Sequence, residues 1–202
     1  MTLSDERTTQ ELMEQLGEDC DRCHSMLVEC IDAGMVDTDG GVFAEYEFFA
    51  RQLIRAIFAY IEAVTFSVKA WSAARCMEIG IDITPQERYF ATDTEYELDE
   101  KGEVVEAIAK ISLARNIRFA IAMHRRAHGI SEKFDASVEW WNCLRKAIRL
   151  RDRLTHPKMP GDLDVSGEDV VTVLKARDGF SKEFLKGAGS IAAESLAQAE
   201  RL

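Results

Sequence analysis

The sequence predicts an all-α protein: an antiparallel up-and-down bundle of four long helices plus a C-terminal helix, with a small hairpin-like excursion between helices two and three. Three observations carry this. Only three prolines and twelve glycines interrupt 202 residues. The stretches between them are rich in Ala, Leu, Ile, Glu, Lys and Arg, which favour helix. Within those stretches, apolar residues recur along single helical faces. An apolar share of 47% is enough for a packed core, so disorder is not expected. The length fits one domain over 1–202, with 82–105 as an insertion.

Helix one is expected from Ser4 to Ala33, with Leu12, Leu16, Cys20, Cys23, Leu27 and Ile31 as its stripe. Ser4 suits the N-cap and Gly34 the stop. After a Gly40-Gly41 break, helix two is expected from Val42 to Ile79. Tyr46, Ala50, Leu53, Ile57, Tyr60, Val64 and Trp71 form its main stripe, and Phe49, Phe58, Ile61 and Phe66 cover other sides. A helix apolar on most faces sits centrally in its bundle.

Asp82 to Val105 is the least helical region. Tyr89–Thr92 and Thr94–Leu98 carry strand-like residues, and Asp99-Glu100-Lys101-Gly102 reads as a turn. Helix three is expected from Val105 to His128, packing through Ile108, Ile111, Leu113, Ile117, Ala120 and Ile121, with Gly129 ending it. Its Asn116, Arg118, His124, Arg125 and Arg126 are expected to be solvated. Helix four runs from Asp135 to Thr155, closed by Pro157 and Pro160. Ser166-Gly167-Glu168-Asp169 resembles a capping box opening the last helix, which is expected to bend or break near Gly187-Ala188-Gly189.

The net charge of −11 argues against a protein that coats nucleic acid nonspecifically. From Lys133 to Lys158, however, seven basic residues face three acidic ones (Asp135, Glu139, Asp152). Such a strip suits one anionic ligand, and a solvated helix face would look the same. The start is polar and acidic rather than a secretory signal, and no stretch approaches a spanning helix, so a cytoplasmic protein with no membrane association is expected.

Cys20-Asp21-Arg22-Cys23-His24 matches the haem-attachment pattern C-x-x-C-H. Both cysteines fall on the apolar stripe of helix one, where Cys packs as a small hydrophobe. Cys30, Cys76 and Cys143 are scattered and complete no zinc-ligand spacing. No cofactor or metal is therefore expected. Phosphate-binding glycine loops, a nucleophile elbow and HExxH are all missing from the sequence.

One residue breaks the pattern of helix four. At about 100° per residue, Trp140, Trp141, Leu144, Ala147, Ile148, Leu154 and Thr155 share a stripe, with Arg151 near its middle. An unpaired cation there is costly, so Arg151 needs either a buried partner or a groove open to a ligand. His156, the side chain that titrates near neutrality, follows. In a continuous helix the two would diverge by about 140°. Pro157 pushes His156 out of the α region, which lets it fold back beside Arg151. Asp152 could orient the imidazole or pair with Arg149. Glu62, on a separate face of helix two with Arg51 and Arg55, could meet the arginine of helix four, pair within its own helix, or face water. The structural alternative is an arginine satisfying helix-end carbonyls, with His156 merely capping.

Arg151-Asp152-x-x-x-His156 resembles the R-x(4–6)-H motif, with Asp or Asn after the arginine, of the HEPN superfamily (higher eukaryotes and prokaryotes nucleotide-binding domains). The longer string Ala147-Ile148-Arg149-Leu150-Arg151-Asp152-Arg153-Leu154-Thr155-His156-Pro157-Lys158 is similar to a bacterial HEPN-like group. The resemblance implies a helical bundle that forms a homodimer with two motifs in one cleft. Active members are metal-independent endoribonucleases, often toxins of toxin–antitoxin systems or antiviral effectors with a regulatory protein partner. It implies His156 in proton transfer at the ribose 2′-OH, Arg151 stabilising phosphate charge and Asp152 orienting both. Arg149, Arg153 and Lys158 would bind RNA, Glu62 and Arg55 would support the site, and 2′,3′-cyclic phosphate ends would result. The toxin subgroup carries Tyr two residues after the histidine, where this chain has Lys158. Its modification-controlled behaviour therefore does not carry over. Superfamily members without nuclease activity leave a second reading: a noncatalytic helical module that binds a nucleotide or protein, or a structural dimer.

Overall fold

A computed structural model describes residues 3–34 and 44–186. Among the described residues, six α-helices, one short 3-10 turn and one two-stranded hairpin follow in the order α1 (Leu3–Asp32), α2 (Ala44–Glu78), α3 (Pro85–Ala91), β1 (Thr94–Leu98), β2 (Val104–Ile108), α4 (Leu113–Ala127), α5 (Glu139–Thr155), the 3-10 turn Pro160–Leu163 and α6 (Gly167–Leu185). The all-α helical class is as expected. The Gly40-Gly41 break, a helix start at Val42 and a bend at Gly187–Gly189 lie outside the described residues. None of the described helices is long and apolar enough to cross a membrane.

The chain divides into two compact units, Met1–Ala63 with Ala136–Phe180, and Val64–Asp135 with Ser181–Leu202. In the first unit the middle of the α1 stripe is buried through Cys20 and Leu27, with Cys30 buried outside the expected stripe, while Leu12 and Ile31 at its ends stay exposed. Ala50, Leu53, Ile57, Phe58 and Ile61 bury more than one side of α2, as its all-round apolar pattern predicts. From α5 come Trp141, Leu144, Ala147, Leu150 and Leu154; Leu150 was not in the expected stripe. The helix opens at Glu139, four residues after the expected start. Ser166 and Asp169 form the expected reciprocal cap: the Asp169 N–H donates to Ser166 Oγ at 3.1 Å and the Ser166 N–H to Asp169 Oδ2 at 3.0 Å. Gly179 is where α6 touches Trp140, since a Cβ there would lie 2.2 Å from the Trp140 side chain.

The second unit corrects two expectations. Residues 85–91 form helix α3 rather than the expected strand at Tyr89–Thr92. Its start follows capping chemistry: Thr84 is the N-cap, Pro85 takes the first turn, and Glu87 closes a capping box. Those signals outweigh the β-propensity of Tyr89, Phe90 and Thr92. Where helix three was expected to begin at Val105, Val104–Ile108 is instead strand β2, paired antiparallel with β1 from Thr94↔Ile108 to Leu98↔Val104. The turn between them is as expected. Asp99 Oδ1 accepts the Lys101 and Glu103 N–H groups, and Gly102 takes φ 80°. Helix α4 then starts only at Leu113. The core here gathers Ala73, Cys76, Ile83, Ala91, Met123 and Ala127.

The polar cluster of α4 is a third correction, because His124 and Arg125 are buried at 4% and 8% exposure. Arg125 donates from Nε and Nη2 to Glu183 Oε1 at 2.8 and 2.5 Å. Asn116 Oδ1 accepts from the fully buried Lys69 at 2.8 Å, and Lys69 also pairs with Asp93, a residue in the left-handed region at φ 54°. Each buried charge thus has an opposite charge and hydrogen bonds, without which burial would be prohibitive. Burial pulls the Lys69 ammonium below its usual range against the opposing pull of Asp93.

Candidate active site

The candidate site lies within the first unit, at the C-terminal end of α5. Arg151 is half-buried, with 29% of its side chain exposed, and its guanidinium pairs with Glu62 of α2 and, at 3.0 Å, with Asp152. It also lies 6.0 Å from the ring centroid of the buried Phe58, within cation–π range. Phe58 and Glu62 are four residues apart and so share a face of α2, the first as an apolar plate and the second as a counter-charge. Of the three settings open to Glu62, the inter-helix pair is the one observed. Asp152 pairs with Arg151 rather than with Arg149.

His156 leaves the helix as the following proline requires, with φ −126° and ψ 57° at the C-cap. Its N–H donates to the Asp152 carbonyl at 3.0 Å. The imidazole is exposed, and among the described residues no hydrogen bond joins it to Arg151 or to the Asp152 carboxylate. The end of α5 therefore carries His156 just past the helix, with its ring exposed.

The last carbonyls of a helix lack partners inside it. Arg55 of α2 donates to the Leu154 carbonyl at 3.5 Å, so it supports the end of α5 rather than Arg151 itself. Arg153, expected to contact substrate, has its guanidinium on three loop carbonyls: Gly161 at 3.0 Å, Asp162 at 2.9 Å and Asp164 at 2.8 Å. Asp162 Oδ2 in turn accepts the Lys158 and Met159 N–H groups at 2.7 and 3.0 Å. Two such N–H donors hold its carboxyl below the usual range. This clamp fixes the segment that carries Lys158. The side chains of Arg149 and Lys158 are exposed, with no ion pair among the described residues.

The structure thus brings Arg151, Asp152 and Glu62 together, sets His156 at the adjoining helix end, and leaves Arg149 and Lys158 as accessible cations. Sequence reasoning overlooked Phe58 as the platform, although its spacing to Glu62 was the available signal. It also overlooked the tie from Arg153 to the loop. Of the C-x-x-C-H pattern, Cys20 is buried, its thiol pushed up to about 11 by that burial, while Cys23 is half-buried and His24 exposed; all five cysteines are free. No family model, curated protein or solved structure matches the chain.

Proposed function

We propose that the protein is a metal-independent endoribonuclease of the HEPN type. The observation that supports this reading is the arrangement at the end of α5: a half-buried arginine held by Glu62 and Asp152, followed by a solvent-facing imidazole. In the proposed reaction His156 accepts the proton of a ribose 2′-OH, and that oxygen attacks the adjacent phosphorus. The P–O5′ bond breaks, leaving a 2′,3′-cyclic phosphate and, once the leaving oxygen takes a proton, a 5′-hydroxyl. Arg151 offers N–H donors to the phosphoryl oxygens as their charge grows, which is where such donors contribute most. Asp152 and Glu62 hold the guanidinium over the Phe58 ring, ready to exchange a carboxylate for a phosphate. Arg149 and Lys158 supply nonspecific attraction to the RNA backbone.

A homodimer that sets two motifs side by side, a regulatory protein partner, a cytoplasmic setting and a role in toxin or antiviral systems belong to the same proposal. The rival reading is a noncatalytic nucleotide- or protein-binding module. What favours it is that carboxylates on the same chain already answer the charge of Arg151.

The deciding experiment incubates wild type, Arg151→Ala and His156→Ala with single-stranded and structured RNA in EDTA. The nuclease reading expects cyclic-phosphate ends from wild type only, with no cutting where a 2′-deoxynucleotide replaces the cleaved position. Equal cleavage by all three proteins, or none by wild type across a broad RNA panel, would sink it. The rival expects Arg151→Ala to weaken partner binding while no RNA is ever cut.

A further inference from the structure

In the second unit a cavity of about 400 Å³ opens along the C-terminal half of α4 and the loop after it. Its walls include Arg118, Arg125, Arg126, Ser131, Lys133 and Phe134. Spacing explains the concentration of cations. Arg118, Ala122 and Arg126 are four residues apart along α4, so they line up on one face, and the small Ala122 leaves room between two long side chains.

The four cations are not equivalent. Arg125 is locked on Glu183, and its Nη1 also donates to the Glu132 carbonyl at 2.6 Å. Arg126 is locked in the same way, on Glu87 at 2.5 Å and on the Asp82 carbonyl at 2.6 Å. These two act as fixed walls with their charge answered. Arg118 and Lys133 are exposed and have no ion pair among the described residues. Among the described residues, Glu132 is the only carboxylate side chain in the lining. On a chain of net charge −11, two unanswered cations sharing one concave surface run against the general trend.

Phe134 adds an apolar plate, with the Arg125 guanidinium 5.8 Å from its ring centroid. Ser131 adds a hydroxyl that can donate or accept. Two free cations match a dianion better than a singly charged group, and a ring in the wall suits a flat organic portion. The volume falls in the range of small-molecule sites.

We propose that this cavity binds a small phosphate monoester, with Arg118 and Lys133 on the phosphate and the organic portion against Phe134. The proposal goes beyond the ribonuclease reading and does not depend on it, since none of its residues belongs to the arrangement around Arg151.

Calorimetric titration of the full chain tests it with two probes, inorganic phosphate and phenyl phosphate. Phenyl phosphate is expected to bind more tightly than phosphate. The double substitution Arg118→Gln with Lys133→Gln should weaken both by about tenfold or more, and Phe134→Leu should weaken phenyl phosphate alone. Arg118 and Lys133 are exposed, so the double variant is expected to keep the wild-type melting temperature and leave the comparison interpretable. Absence of binding by either probe at millimolar concentration would overturn the proposal, as would binding that the double substitution leaves unchanged. A short single-stranded RNA that displaces phenyl phosphate through the same two cations, and binds more tightly, would overturn it in favour of a polynucleotide surface.

Discussion

Arg151 in the first unit and Arg125 in the second are both arginines set among apolar residues and met by a glutamate from another helix. Their surroundings differ. Arg125 and Glu183 have 10% and 2% of their side chains exposed, whereas Arg151 and Glu62 have 29% and 43%. A pair out of water depends on its own geometry, because removing either partner strands a charge in a low-dielectric interior. A pair at the margin can trade its partner for water at little cost. The same two residue types therefore form a structural tie in one place and an exchangeable contact in the other. Only the second kind can open to an incoming phosphate.

The largest expected effect probes the buried side of that contrast. Glu183→Leu should destabilise the protein by roughly 3–5 kcal/mol, as for other broken buried pairs, read as a shift in urea denaturation. Adding Arg125→Met should recover much of the loss, because two apolar residues need no partner. A single substitution costing no more than a surface change would erase the distinction between the two pairs.

Acid should also act on the second unit. Burial is the main influence lowering the His124 imidazole, so the unfolded chain takes up a proton first as pH falls. More protons on the unfolded state means stability declines below about pH 6.5 until the folded His124 titrates. Burial works to raise the Glu183 carboxyl, but its hydrogen bonds to Lys186 and Arg125 prevail and hold it low. Its contribution is therefore present above the ordinary glutamate range and lost as pH falls through it. Denaturation midpoints measured from pH 8 to pH 3 should show two stages. His124→Gln should remove the upper stage and Glu183→Gln should shrink the lower, to which the depressed Asp162 carboxyl also contributes, and stages untouched by either substitution would refute this assignment.

What was legible in the sequence follows the same division. Helical periodicity located the long helices and placed Arg151 on an apolar stripe, because both properties are set by neighbours within a few turns. The capping box at Thr84–Glu87 was equally local, but the aromatic residues that follow it masked it. Strand β2 was missed because Val104–Ile108 owes its state to pairing with Thr94–Leu98 across a turn, and a window on one segment does not contain its partner. The burial of Arg125 escaped for a related reason. Its counter-charge, Glu183, lies 58 positions away, and an arginine in a basic run reads as solvated until that partner is known. Within the candidate site, the fall of His156 out of the helix was written in Pro157. The tie of Arg153 to the carbonyls of Gly161, Asp162 and Asp164 was not, since backbone acceptors leave no mark on residue identity.

Arg153 supplies the intermediate case, a cation half-way between the two extremes. Arg153→Ala should cost about 1–2 kcal/mol, because three carbonyls lose a charged donor where water can partly replace it. Limited proteolysis should then cut sooner within the 157–164 segment. Unchanged stability and proteolysis would return Arg153 to the ligand-binding role first expected of it.

The smallest effect on stability is expected at Glu62, and it sharpens the contrast most. Glu62→Gln leaves Arg151 beside Asp152 and over Phe58, with water free to reach the vacated side. The cost should be at most about 1 kcal/mol and should fade in high salt, as for exposed pairs. If urea denaturation instead placed Glu62→Gln level with Glu183→Leu, Arg151 would be a structural arginine like Arg125. Its exchange of a carboxylate for a phosphate would then be too costly to serve a catalytic cycle. A low cost leaves the guanidinium free to change partners, which the proposed chemistry requires.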